Sequence, residues 1–191
     1  MVREFDVVVV GAGPIGGYLS RRFNEHGNSV LLIEEHDQLG RPFQCAGLVN
    51  PASMKTIGLE DTILTTIWGA NIHSPTGTRV TIGDPSVPRT FSVCRKLFDE
   101  AVVIQSIASG TELLLSSKPY SATVNEEFVQ VKIDGPNGDE TVHCKLLCGA
   151  DGAHSWVRRN FRMGNPRETM IGFQIEVTGY KGDSGMLDMY T

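Results

Sequence analysis

Three glycines, Gly11-x-Gly13-x-x-Gly16, follow the run Val7–Val10 and open a segment of helical periodicity. This spacing suits a pyrophosphate. Gly11 makes the tight turn out of a strand, Gly13 lets backbone amides approach the phosphates, and Gly16 lets helix and strand pack closely. The phosphates then meet unpaired N–H groups at the positive end of the helix dipole. Further along, the apolar stretch Val30–Ile33 ends in Glu34, whose carboxylate is placed to accept hydrogen bonds from a ribose diol. A second run, Gly149-Ala150-Asp151-Gly152, follows another strand-like segment, and Asp151 suits the N-cap of a helix over 153–160. Strand, glycines, helix, strand and acid in this order predict a dinucleotide site. NAD(P) and FAD present the same ADP half, so the fingerprint does not choose between them.

The four cysteines have no zinc-ligand spacing and make no disulfide framework, and the histidines show no ligand spacing, so no metal is assigned. Cys144 and Cys148 lie four apart on a strand and are expected to face the same way as small core residues. Cys45 sits in the aperiodic loop Gly40–Gly47, where both a packing and a functional role stay open.

These residues need elements to hold them. The pattern predicts strands over 5–10 and 29–33, a helix over 15–25 stopped by Gly27-Asn28, and a short helix over 51–57. A β-rich excursion at 68–93 comprises strands 70–73, 79–82 and 90–93, separated by glycine and proline turns. A helix over 96–109 carries Leu97, Ala101, Ile104 and Ala108 on one face. A short strand over 112–115 leads to a three-stranded meander over 120–124, 128–134 and 141–148, with Asn137-Gly138 as the hairpin signal.

Composition narrows the class. The chain has 191 residues, 40% of them hydrophobic, and a net charge of −5. No basic patch favours nucleic acid. The N-terminus enters a strand within a few residues, so no signal peptide is expected. No run of about 18 apolar residues suggests a membrane span. The expected location is the cytoplasm, with membrane contact only peripheral.

The glycine fingerprint, the meander and the run Gly149-Ala150-Asp151-Gly152-x-x-Ser155-x-Val157-Arg158 resemble the flavoprotein class that includes para-hydroxybenzoate hydroxylase. Within it the chain resembles the geranylgeranyl reductase family. The loop Phe43-Gln44-Cys45-Ala46-Gly47, the run Arg95-x-x-Phe98-Asp99, and the segment from Ile171-Gly172-Phe173-Gln174 to Asp188-Met189-Tyr190 carry that likeness. The resemblance implies an α/β, Rossmann-like FAD-binding domain with a parallel sheet and an inserted antiparallel β-meander over 1–165. A β-rich substrate domain begins at 166–191, with a strand over 170–177 whose unpaired edge invites self-association.

The resemblance also implies roles. Gly11, Gly13, Ile15 and Gly16 cradle the FAD pyrophosphate, and Glu34 binds the adenosine ribose. Cys45, Ala46 and Gly47 lie along the ribityl and isoalloxazine side, with Cys45 the candidate catalytic residue. Arg95 points toward the pyrophosphate and ribityl region, Pro119 falls near adenine, and Asp151 and Gly152 help hold FAD. A second Gly-Asp motif belongs to the family pattern and is expected downstream of residue 191; Gly182-Asp183 reads as a loop. The implied activity is reduction of isoprenoid double bonds in a prenyl lipid, with NADPH or a ferredoxin as electron donor. An FAD-dependent aromatic monooxygenase and a truncated, non-catalytic FAD-binding fragment are the alternatives.

Overall fold

The computed structural model describes residues 2–42 and 45–191. In chain order the elements are β1 (Arg3–Val10), α1 (Pro14–Glu25), β2 (Val30–Ile33), β3 (Leu48–Val49), α2 (Pro51–Ile57), β4 (Ile63–Ile67), β5 (Gly69–His73), β6 (Arg79–Gly83), β7 (Thr90–Val93), α3 (Arg95–Ala108), β8 (Glu112–Leu114), β9 (Lys118–Val124), β10 (Val129–Gly135), β11 (Gly138–Gly149), α4 (Trp156–Asn160) and β12 (Met186–Tyr190). They divide into two compact units. One comprises Met1–Arg41 and Asp99–Met170, the other Pro42–Phe98 and Ile171–Thr191. Residues 166–191 are therefore shared between the units, and the β-rich excursion lies inside the second.

In the first unit a six-stranded sheet runs β8-β2-β1-β11-β10-β9. The first four strands are parallel, and β11, β10 and β9 form the antiparallel meander. Val7–Val10 and Val30–Ile33 are buried throughout, as strands covered on both faces must be. On one face Val8, Leu31 and Ile33 cluster with Val131, Ile133, Val142 and Cys144 of the meander. On the other, Val7, Val9, Val30 and Leu32 cluster with Val103 of α3, and Leu19 and Phe23 of α1 close the edge. Gly135 pairs with Gly138 across the hairpin, so Pro136 and Asn137 make the turn and Gly138 takes the left-handed backbone, φ 99°.

Three expectations are corrected here. Cys144 belongs to the first cluster and Cys148 to the second, so they face opposite sides of the sheet. The side-chain alternation slips between Cys144 and Leu147, which both pack on the first cluster, and β1 slips in step, since Phe5 and Val8 both do the same. At the slip, Lys145 Nζ donates to Asp6 Oδ1 at 2.7 Å.

The second correction is the buried face of α3, which is formed by Phe98, Val102, Val103 and Ser106; Leu97 and Ile104 are exposed. Both stripes have helical spacing. Gly17 of α1, lying close to Val102 and Val103, selects the stripe that packs. The third is that no strand forms over 170–177, and Ile171 and Phe173 are 100% and 89% exposed. Alternation is necessary for a half-buried strand, but the backbone still needs a neighbouring ladder.

In the second unit, β12-β5-β6 and β3-β7-β4 form two small sheets. Trp68 N–H donates to the Gly185 carbonyl, which lies just after the loop that carries Gly182 and Asp183. Among the described residues, no helix is long and apolar enough to cross a membrane, and no group of three or more His, Cys, Asp or Glu could hold a metal.

Candidate dinucleotide site

The site grows from the end of β1. Gly11 has φ 100°, and its N–H donates to the Ile33 carbonyl at 2.7 Å, tying the turn to β2. A Cβ on Gly11 would lie 2.5 Å from the Ala150 carbonyl oxygen. Ala150 N–H in turn donates to the Val10 carbonyl at 2.8 Å, so the two glycine-containing runs are locked together at the ends of adjacent strands. A Cβ on Gly16 would lie 1.8 Å from the Gly11 carbonyl oxygen. Gly13 is different, because a Cβ there would meet nothing within 4 Å.

Gly13 is also the N-cap of α1, with Pro14 in the first turn and no side chain capping the helix. The first amides of α1 therefore face an open cradle. Ile15, in that first turn, is 70% exposed.

Glu34 closes one side. Its Oε2 accepts the Ala12 N–H at 2.8 Å, and its Oε1 accepts the His36 N–H at 3.0 Å and a bond from His36 Nδ1 at 2.5 Å. The segment ahead of β9 staples this loop. Glu34 N–H donates to the Leu114 carbonyl, Ser117 N–H to the Glu34 carbonyl, and Ser116 N–H to the His36 carbonyl, all within 2.8–2.9 Å. Lys118 Nζ reaches Glu35 Oε2 at 2.9 Å, a bond that holds the Glu35 carboxyl below its ordinary range against partial burial. Pro119 follows, buried in β9 opposite Ile133, so the chain entering it runs alongside Glu34.

Asp151 occupies the opposite side. Its Oδ2 accepts the N–H groups of Trp156 and Val157 at 2.6 and 3.0 Å. The N-cap of α4 is Ser155, whose Oγ accepts the Arg158 N–H at 3.0 Å. The N-cap expectation for Asp151 is thus corrected: Asp151 secures the first two amides of the helix from outside it, because α4 begins later than the sequence suggests. Among the described residues, Asp151 Oδ1 is buried without a hydrogen-bond partner. Gly152, with φ 71°, is exposed.

The remaining sequence-derived residues lie in the second unit. Gly47 has φ 77°, its carbonyl accepts the Val93 N–H at 2.9 Å, and a Cβ on it would lie 2.2 Å from the Val93 carbonyl oxygen. Arg95 is its neighbour, with Cγ 3.6 Å from that same Cβ position. Cys45 is half-buried and Ala46 exposed, while Phe43 and Gln44 of the same motif lie outside the described residues. Two groups escaped the sequence reading: His36, whose position two residues beyond Glu34 was the available signal, and the Ser116–Lys118 staple, which carried none.

The first unit's residues fit a dinucleotide. An open glycine and uncapped helix amides suit an anionic pyrophosphate. Glu34 and the partnerless Asp151 Oδ1 are acceptors suited to hydroxyl donors.

Comparison with known proteins agrees. The chain is 29% identical, over 98% of its length, to digeranylgeranylglycerophospholipid reductase 2 of Methanothermobacter thermautotrophicus, of which it covers 50%. The fold is shared with a geranylgeranyl bacteriochlorophyll reductase-like protein of Thermoplasma acidophilum, at a TM-score of 0.81 and 19% identity over 100% of this chain and 51% of that one. It is shared too with aklavinone-11 hydroxylase, solved in a ternary complex with FAD and aklavinone, at a TM-score of 0.67 and 22% identity over 85% of this chain and 35% of that one. The chain spans about half the length of the curated reductase it matches. Residues 4–184 match the family described as FAD binding domain, and the chain belongs to that family.

Proposed function

We propose that this chain is the FAD-holding part of a reductase that saturates isoprenoid double bonds of lipids. The observation that supports the reading is the close approach of Gly11 to Ala150, which holds the two glycine-containing runs together beside the open position at Gly13. The name of the methanogen relative matched along nearly the whole chain supports the choice of a prenyl lipid substrate. In this reading Gly11, Gly13, Ile15 and Gly16 hold the pyrophosphate, Glu34 holds the ribose, Pro119 lies near adenine, and Asp151 with Gly152 holds the flavin side. Cys45, Ala46, Gly47 and Arg95 line the ribityl and ring portion, with Cys45 at the reaction cavity.

When bound, the flavin supplies hydride transfer to a substrate double bond. The protein contributes orientation and electrostatics. Its fixed amides meet phosphate charge, and its carboxylates meet hydroxyl donors without reorganising. Electrons arrive from NADPH or a ferredoxin, and the protein works in the cytoplasm with peripheral contact to the membrane that holds its substrate.

The test has two stages. Denaturing the purified protein should release FAD, identified chromatographically; release of NAD(H) alone would overturn the cofactor. Incubation of the full-length reductase that contains this chain, loaded with flavin, with dithionite and a digeranylgeranyl lipid should add two hydrogens per double bond by mass spectrometry, whereas residues 1–191 alone should reduce nothing. Hydroxylation of an aromatic substrate in air with NADPH, and no lipid reduction under dithionite, would instead establish the monooxygenase reading.

A further inference from the structure

We infer that His36 is a further residue of the nucleotide site, a positioning residue that sets the carboxylate of Glu34 for the adenosine ribose. The inference rests on FAD as the ligand of the first unit. The two oxygens of Glu34 are held differently. Among the described residues, Oε2 accepts the Ala12 N–H alone, whereas Oε1 accepts both the backbone N–H and the Nδ1 of His36. A ring nitrogen 2.5 Å from a carboxylate oxygen is a donor, so the Nδ1 of His36 carries its proton. A carboxylate offers about four acceptor positions. Three are occupied, and the fourth lies on Oε2, the oxygen that already touches the glycine loop.

The loop under His36 is built to hold it. The His36 carbonyl accepts the Ser116 N–H at 2.9 Å, and neighbouring Glu35 is tied to Lys118 at 2.9 Å. The His36 side chain is 42% exposed while that of Glu34 is 12% exposed. The imidazole therefore stands at the rim and reaches inward to a carboxylate that solvent barely touches. Glutamate has three rotatable bonds, and an unheld carboxylate loses that freedom when a ribose binds. Fixed by His36, it meets the diol already oriented.

The experiment measures dissociation constants for FAD by flavin fluorescence, and for ADP and 2′-deoxy-ADP by competition with it. The proteins compared are the unaltered chain, His36→Ala and His36→Asn. His36→Ala should weaken FAD and ADP about tenfold, the usual scale for one lost hydrogen bond to a charged group. It should weaken 2′-deoxy-ADP less, because that probe keeps only one hydroxyl of the diol for Glu34 to read. His36→Asn should restore most of the affinity, since its amide can donate from near the place of Nδ1. Equal losses for ADP and 2′-deoxy-ADP, or full FAD affinity in His36→Ala, would overturn the positioning role while leaving FAD as the ligand. Failure of the unaltered chain to bind FAD or ADP would overturn the FAD reading and this inference together.

Discussion

A methyl group on Gly16 would come within 1.8 Å of the carbonyl oxygen of Gly11, whereas one on Gly13 would touch nothing. The glycines of one fingerprint therefore answer to different constraints. Gly16 serves the packing of α1 on the turn, and Gly13 faces open space. Gly16→Ala should destabilise the protein by about 3 kcal/mol or more, the upper range for overpacking, and lower its melting temperature by roughly 10 °C. Gly13→Ala should leave the melting temperature within about 2 °C, because its φ of −74° is open to alanine. It should nonetheless weaken FAD binding at least tenfold. Calorimetry paired with flavin titration separates the two; a Gly13→Ala protein that binds FAD normally would remove Gly13 from the site.

Burial separates the cysteines. Cys144 is 2% exposed, and burial pushes its thiol up to about 11; Cys148 is raised by burial as well. Since the thiolate is the nucleophile, Cys144 should resist iodoacetamide in the folded protein at pH 8 and react only after denaturation. Peptide mass mapping over time checks this. Labelling of Cys144 as fast as Cys45 would show that the first core cluster opens to reagent.

Asp188 on β12 is an acid-sensitive group whose partners all lie on or beside β5 and β12. Its carboxylate accepts bonds from the Tyr180 hydroxyl, from His73 Nε2 at 2.7 Å and from Asn71 at 3.2 Å, and these lower it from 3.8 to about 2. A carboxyl lowered in the folded state adds stability above its unfolded value, and that stability is lost as pH falls through the folded one. Acid should therefore loosen β12 from β5 between about pH 4 and pH 2, and Asp188→Asn should abolish that dependence. Carboxyl-carbon NMR gives the midpoint directly; titration near 4 would mean the network does not form in solution.

What the sequence revealed followed from its periodicities. The all-valine end of β1, the turn at Gly11 and the existence of a hairpin after Asp134 were legible because each depends on neighbours in sequence, although the turn falls on Pro136 and Asn137, and Gly138 already belongs to β11. The face of α3 was not, since Leu97–Ile104 and Phe98–Val102 both repeat at helical spacing and only Gly17 distinguishes them. Strands β3 and β4 were missed because β3 is two residues long and β4 pairs with a shifted register, and both owe their existence to β7. In the site, Glu34 was visible as an acid at a strand end. The hold of His36 on it was not, because it depends on how a loop turns after β2.

The long strand β11 also has a temporal consequence. Asp6 and Lys145, joined across β1 and β11, are 139 residues apart in the chain. Translation at 5–20 residues per second delivers the second partner on the order of 10 s after the first. The β10–β11 hairpin itself closes within about 10 μs of leaving the ribosome. Throughout that wait β1 has β2 on one side and nothing on the other, and the turn at Gly11 lacks the Ala150 carbonyl against which it rests. A nascent chain thus completes the turn at Gly11 late, when the strand ending at Gly149 emerges to pair with β1.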